Sequence, residues 1–256
     1  MTPDLTGQIA IVTGATSGLG LRFAQVLSAH GADVAITGRR ADRLDALKAD
    51  LEAAGGRVLC IPSDLTRTED MLRVVEATES GLGLPTILVN NAGMADAKYA
   101  TKIDIDLFDR VMSLNVRAPF LLSREVAKRL IKADRPGRIV NIASIMAYHY
   151  TGEGAALYST TKAAVVRMTE TLAVEWSRFH INVNAIAPGY VKSEMTDAMS
   201  ERMEAAGMES DLSKVYPRRR LPTPDMLDST LLFLVDPASH GVTGTVVKMD
   251  DGQTPR

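Results

Sequence analysis

Tyr158 and Lys162 stand four residues apart in Tyr158-Ser159-Thr160-Thr161-Lys162, a spacing that puts two side chains on one face of a helix. A free phenol titrates near 10 and carries protons poorly at neutrality. An ammonium beside it favours the phenolate and lowers that value, so the pair offers a tyrosine acid or base tuned by a lysine. Taken alone, the same spacing is an ordinary helix face. Ser144 ends an apolar run and offers a hydroxyl that could hold a carbonyl oxygen, or a plain strand-end cap. A second constellation is Thr13-Gly14-Ala15-Thr16-Ser17-Gly18-Leu19-Gly20. Glycines between a strand and a helix let phosphates approach the backbone at the positive helix N-terminus. The spacing is neither G-x-G-x-x-G nor a phosphate loop, which would need Gly-Lys-Ser/Thr. The third is Thr37-Gly38-Arg39-Arg40, with no acid before Asp42. An acid at that point accepts ribose hydroxyls, whereas arginine accommodates a 2′-phosphate. Arg39 and Arg40, with Gly38 leaving room, therefore point to NADP(H) over NAD; solvated arginines at a helix start are the plainer alternative.

These groups need strands that end at one edge. Short β-branched runs alternate with stretches of helical period, the pattern of a parallel sheet crossed over by helices. Strands are expected at Gln8 to Thr13, Asp33 to Thr37, Arg57 to Ile61, Thr86 to Asn90, Arg138 to Ser144, Ile181 to Ile186 and Thr245 to Met249. Runs apolar on both faces imply helices on both sides. Helices are expected at Leu19 to Ala29, around Leu44, Leu47 and Leu51, at Glu69 to Thr78, and as two long ones at Ile105 to Lys132 and Ala155 to Phe179. No linker or repeat divides the chain, so residues 1–256 read as one α/β, Rossmann-type, doubly wound domain of about seven parallel strands. Gly189 to Pro224 breaks the alternation with Met195, Met199, Met203 and Met208 among many charges. Loops that long are usually functional or disordered, and residues 189–224 read as a substrate-binding lid.

Composition removes other classes. In 256 residues, 29 basic and 31 acidic side chains leave a net charge of −2, so no global field gathers nucleic acid or an anionic membrane. Aromatics at 5% argue against stacking platforms for single strands. The one cysteine, Cys60, can form neither an internal disulfide nor a thiolate cluster, so no metal site is expected and a reducing, cytoplasmic setting is. Met1 to Thr6 does not read as a signal peptide. No run of about 18 apolar residues predicts a membrane span.

Together the motifs resemble the short-chain dehydrogenase/reductase family across essentially the whole chain. They are TGATSGLG at 13 to 20, Asp64-Leu65, Asn90-Asn91-Ala92-Gly93, Asn115 in LNV, Ser144, YSTTK at 158 to 162 and Pro188-Gly189. The resemblance implies a catalytic tetrad of Asn115, Ser144, Tyr158 and Lys162. Tyr158 would donate the proton in reduction, Ser144 orient the carbonyl, Lys162 lower the tyrosine's pKa and bind the nicotinamide ribose, and Asn115 hold a proton-relay water. It also implies coenzyme contacts from Gly14, Thr16, Ser17, Gly18, Leu19, Gly20, Asp64, Leu65, Asn91, Ala92, Gly93, Tyr158, Lys162, Pro188, Gly189, Val191 and Ser193, beside Arg39 and Arg40. Asn90 is as readily a sheet-edge structural residue. Two departures stand out. Fourteen positions separate Ser144 from Tyr158, one more than is usual, so the loop Met146 to Leu157 should bulge; and the family's Asp-Gly-Gly reads Asp250-Asp251-Gly252, where aspartate can replace glycine in a left-handed turn.

The function implied is an NADP(H)-dependent oxidoreductase reducing a ketone or 3-oxoacyl group reversibly to a secondary alcohol, most similar to bacterial 3-oxoacyl-[acyl-carrier-protein] reductases. A sugar, steroid or xenobiotic carbonyl is the alternative substrate, and a non-catalytic NADP-binding sensor is the alternative of another class. Lys214, Arg218, Arg219 and Arg220 could meet an acidic acyl-carrier protein or be a solvated basic stretch. Met94, Met146, Met195 and Met199 suggest a malleable pocket. Similar family members are commonly homotetramers that pair the two long helices and the last strand.

Overall fold

The computed structural model describes residues 3–96, 98–150, 154–205, 207, 209–211, 213 and 217–254. Every expected strand is present, with ends within two residues of the apolar runs: β1 Ile9–Thr13, β2 Asp33–Gly38, β3 Val58–Pro62, β4 Ile87–Asn90, β5 Gly137–Ile142, β6 Ile181–Pro188 and β7 Val246–Met249. All pairs are parallel, in the order β3-β2-β1-β4-β5-β6-β7. The chain reverses direction across the sheet between β1 and β4, and ligands of such sheets bind outside the carboxyl ends of the strands at that point.

Successive strand residues face opposite sides, and both sides are covered. In β1, Val12 points to α1 (Gly18–Ala29), α2 (Ala41–Ala53) and α8 (Asp228–Val235), packing with Phe23, Leu27, Leu44 and Leu231. Its neighbour Ile11 points to α3 (Thr68–Gly81), α5 (Ala118–Lys132) and α6 (Ala156–Trp176), among Met71, Leu122, Met168 and Trp176. β5 and β6 are buried at every residue. Both faces are therefore covered, and the polar residues Arg138, Asn141, Asn182 and Asn184 are buried with hydrogen-bond partners inside the chain.

The first long helix is not continuous. It runs as α4 (Ile105–Met112), a π turn over Ser113–Arg117, and α5. A π turn inserts one extra residue into the helical ladder, and here the wide turn carries Asn115, buried to 1% exposure. The expected region 189–224 contains a helix, α7 (Glu194–Ala205), of which only Thr196 is buried. Met208 and Lys214 lie outside the described residues. Among the described residues no helix is long and apolar enough to cross a membrane, and no three His, Cys, Asp or Glu side chains form a group that could hold a metal.

Candidate active site

The glycine turn after β1 is built by its neighbours. Gly14 (φ +67°) and Gly18 (φ +55°) adopt the left-handed region, where a side chain is strained. A Cβ on Gly14 would stand 2.9 Å from Ala92 Cα, whereas one on Gly18 would meet only Ser193 Cβ at 3.5 Å. Gly18 thus leaves the α1 N-terminus open to an anion. Packing within the turn also requires glycine at position 20, where a Cβ would overlap Gly14 O at 2.2 Å. Asn91 likewise serves the turn, its Nδ2 donating to Thr13 O (2.9 Å) and Gly14 O (3.3 Å). Thr13 Oγ1 accepts from the backbone N–H groups of Asn91 and Ala92. Asn90 is structural, donating to Asn141 Oδ1 at 2.8 Å and Ser123 Oγ at 3.0 Å. Leu19 packs on the core, Leu65 and Val191 are buried in it, and Asp64 Oδ1 caps Thr66.

Beyond β2 the two expected arginines diverge. Arg39 is exposed. Arg40 turns to the glycine loop, with Nη2 donating to Thr16 Oγ1 (2.7 Å) and Ser17 Oγ (3.0 Å). Gly38 makes room for Thr16 rather than directly for a ligand, since a Cβ there would meet Thr16 Cγ2 at 2.6 Å. A third arginine, Arg43, joins the cluster, and the anion held between Arg40 and Arg43 is the carboxylate of Glu194 on α7. Neither residue stands out in the sequence; the signal for Arg43 is its position one helical turn after Arg40.

At the other end of the cleft the four catalytic candidates converge. Ser144 is extended (φ −167°) after β5, accepts from Met146 N at 3.1 Å and hydrogen-bonds the Tyr158 phenol. Lys162 lies on the same face of α6, its Nζ 5.5 Å from the Tyr158 ring centre and donating to Ile142 O at 2.7 Å. Asn115 Nδ2 donates to Met94 O (2.8 Å) and Thr161 Oγ1 (3.1 Å), while its Oδ1 accepts from Met94 N (2.9 Å). One lone pair of Oδ1 stays open. A Cβ built on Gly93 would lie 3.4 Å from that oxygen and 3.6 Å from Lys162 Nζ, so both atoms border one spot.

The electrostatics overturn one expectation. Tyr158 is half-buried, and burial pushes its phenol up to about 12, with the Ser144 hydrogen bond pulling the other way. Lys162 is itself only 5% exposed, and burial brings its ammonium down to about 8. The i, i+4 spacing is realised, but loss of water outweighs charge proximity.

Asp96 is a further buried group. Its Oδ2 accepts from Leu157 N (3.2 Å) at the start of α6, whose own preceding residue, Ala155, offers no side-chain cap. Its Oδ1 is buried without a partner among the described residues. The loop after Ser144 forms a 3₁₀ turn (Ile145–Ala147) fixed by Ser159 Oγ donating to Met146 O at 2.6 Å. Residues 151–153 of its expected bulge lie outside the described residues. Met94 and Met146 are partly buried, Met199 likewise, and Met195 is exposed.

Pro188 ends β6 opposite Met249, and Gly189 faces Gln253, whose side chain clamps Tyr190 through both its N–H (2.7 Å) and its C=O (3.1 Å). Ser193 Oγ accepts from Thr196 N at 3.3 Å. Asp251 takes the left-handed turn at φ +50°. Arg218 and Arg220 are ion-paired to it, so two of the basic groups considered for a carrier protein are neutralised within the chain.

Comparison with known proteins bears on the whole chain. Residues 8–204 match the family model described as short chain dehydrogenase. Gluconate 5-dehydrogenase of Gluconobacter oxydans (strain 621H) is 36% identical over 252 residues, covering 98% of this chain and 96% of that protein. The 3-oxoacyl-[acyl-carrier-protein] reductase FabG of Rickettsia bellii (strain RML369-C) is 34% identical over 249 residues, covering 97% and 98%. Among solved structures, one proposed as an NAD(P) dependent gluconate 5-dehydrogenase from Beutenbergia cavernae, with NADP bound at low occupancy, superposes with a TM-score of 0.89. It is 32% identical, with 98% of each chain covered.

Proposed function

The chain belongs to the short-chain dehydrogenase family, and from that premise we propose an NADP(H)-dependent oxidoreductase that reduces a ketone to a secondary alcohol, reversibly. The observation that carries the reading is the Ser144–Tyr158 hydrogen bond with Lys162 beside it. When bound, the nicotinamide coenzyme supplies the hydride in reduction and takes it up in oxidation. Tyr158, held protonated by burial, gives its phenolic proton to the carbonyl oxygen while Ser144 donates to the same oxygen. The Lys162 ammonium and the open lone pair of Asn115 Oδ1 flank the spot by Gly93 from which a water would return that proton.

For the coenzyme, Gly18 and the α1 N-terminus would take the pyrophosphate, Asp64 and Leu65 the adenine, and Gly93, Pro188, Gly189 and Ser193 the nicotinamide side. Thr16, Ser17, Arg40 and Arg43 would hold the 2′-phosphate. The fit is supported by the fact that this last group already binds an anion, the Glu194 carboxylate, with the bidentate-capable guanidiniums suited to phosphate. The bound NADP of the Beutenbergia structure points the same way. α7, within residues 189–224, serves as the substrate lid.

A second substrate reading, a sugar acid, is favoured over a carrier-bound 3-oxoacyl group by the 36% identity to gluconate 5-dehydrogenase and by the pairing of Arg218 and Arg220 with Asp251. A homotetramer is supported by exposed Ile105 and Phe108 of α4, Phe120 of α5 and Val174 of α6, and by a groove of about 730 Å³ between these helices lined by Val116, Phe120 and Met168. The single free Cys60 suits a reducing cytoplasm.

The test is NADPH oxidation across acetoacetyl thioesters and keto-sugar acids, in wild type and Tyr158→Phe. Loss of the proton donor should lower turnover about 10³-fold with NADPH binding intact. Equal turnover in the variant overturns the assignment, and wild type that binds NADPH yet turns over no carbonyl supports the sensor reading instead.

A further inference from the structure

The lid begins directly over the coenzyme cleft. Ser193 sits opposite the open side of Gly18, and Glu194, the first residue of α7, reaches across to α2. Arg43 Nη1 donates to its Oε1, and Arg40 Nη1 to Oε2 at 3.1 Å and Oε1 at 3.4 Å. The Ser17 hydroxyl also bonds the carboxylate. Arg40 meanwhile keeps its Nε and Nη2 on Thr16 and Ser17. One carboxylate therefore ties together three elements: the glycine loop, α2 and the lid. Arg43 first, then Arg40, pulls the Glu194 carboxyl down to about 2, so it is charged at any working pH.

A ribose 2′-phosphate needs these same donors. Two anions on one guanidinium repel each other, and the pair of arginines cannot be fully engaged with both. Resting on the NADP(H) reading above, we propose that Glu194 is a coenzyme-discriminating residue: an internal carboxylate that the 2′-phosphate displaces from Arg40 and Arg43, thereby untying the start of α7. NADH carries no such phosphate and leaves the bridge in place. The exchange is cheap because the Glu194 side chain is 53% exposed, and exposed ion pairs hold weakly. It links the identity of the coenzyme to the helix that overhangs the substrate side.

The experiment measures dissociation constants of NADPH, NADH, adenosine 2′,5′-bisphosphate and AMP for the full chain as wild type, Glu194→Gln and Glu194→Ala, with tryptic cleavage after Arg202 of α7 followed in parallel. In wild type the bisphosphate speeds cleavage and AMP does not. Either variant tightens NADPH and the bisphosphate about fivefold, ~1 kcal/mol, leaves NADH and AMP unchanged, and cleaves quickly without ligand. Variants that shift all four ligands alike, or none, overturn the role of Glu194. Wild type that binds the bisphosphate no better than AMP overturns the NADP(H) reading itself, a separate and distinguishable failure.

Discussion

The two ends of the cleft treat charge in opposite ways. At the α2 end Arg40, Arg43 and Glu194 have side chains 39%, 45% and 53% exposed, and every one is paired. At the α6 end Tyr158 and Lys162 are drawn away from water and pushed toward their neutral forms, the phenol up and the ammonium down. Exposed paired charges add little to stability, so the α2 end can be changed with consequences mainly for what binds. Buried charges oppose folding unless compensated, so the α6 end keeps its chemistry at the expense of stability.

The contrast is tested most severely by Lys162→Met. The drop of the ammonium from 10.5 to about 8 corresponds to about 3 kcal/mol against the charged native state at pH 7. Methionine of similar length loses the bond to Ile142 O, so the net gain in stability should be on the order of 2 kcal/mol, while turnover falls at least about 10²-fold. The folded value lies below the unfolded one. Between pH 8 and 10.5 the unfolded chain therefore binds more protons, and wild-type stability from this group rises with pH across that window. The variant's advantage is whole below pH 8 and fades toward pH 10.5, as denaturant unfolding at pH 7, 9 and 10 would read. A variant less stable than wild type at pH 7 would break the comparison.

Asp96 carries a smaller effect at the same end. It caps α6 through Leu157 N, one residue before Tyr158. Asp96→Ala should cost about 1 kcal/mol, as loss of a helix cap does, and lower kcat several-fold with KM for NADPH unchanged. Asp96→Asn keeps an acceptor and should recover most of both. If asparagine fails to rescue kcat, the carboxylate acts through its charge and not through the cap.

These residues also mark where the sequence stops being legible. The strands could be read because short β-branched apolar runs recur between stretches of helical period, although β5 and β6, buried at every residue, also enclose Arg138, Asn141, Asn182 and Asn184. Ser144, Tyr158, Lys162 and Asn115 could be read because their motifs are local, and the structure brings them together. What could not be read depends on partners distant in sequence. Glu194 meets Arg43 across 151 positions, and Asp96 meets Leu157 across 61. The π turn at Ser113–Arg117 is held by Asn115 bonding Met94 and Thr161, and Pro119 in the first turn of α5, which removes a backbone donor there, is a local signal of it. The i, i+4 spacing of Tyr158 and Lys162 reports the lysine's nearness and says nothing of how much water surrounds either group, and it is burial that pushes the phenol up.

Asp251 belongs to neither regime, which makes it the finest test of the contrast. Its side chain is only 10% exposed, yet its partners Arg218 and Arg220 are 65% and 46% exposed. It also occupies a left-handed turn at φ +50°, where a non-glycine residue is disfavoured by about 1 kcal/mol. Asp251→Gly relieves that strain but enlarges the freedom of the unfolded chain by a similar ~0.4–1 kcal/mol, so the backbone effects nearly cancel. What remains is the loss of the two ion pairs, about 0.2–1 kcal/mol each if they behave as exposed ones. The variant should then melt slightly lower than wild type in dilute buffer, and the gap should close in 1 M salt, where screening acts within about 3 Å. A gap that survives high salt would place Asp251 with the buried groups of the α6 end and would show that exposure of the cation alone does not decide how an ion pair behaves.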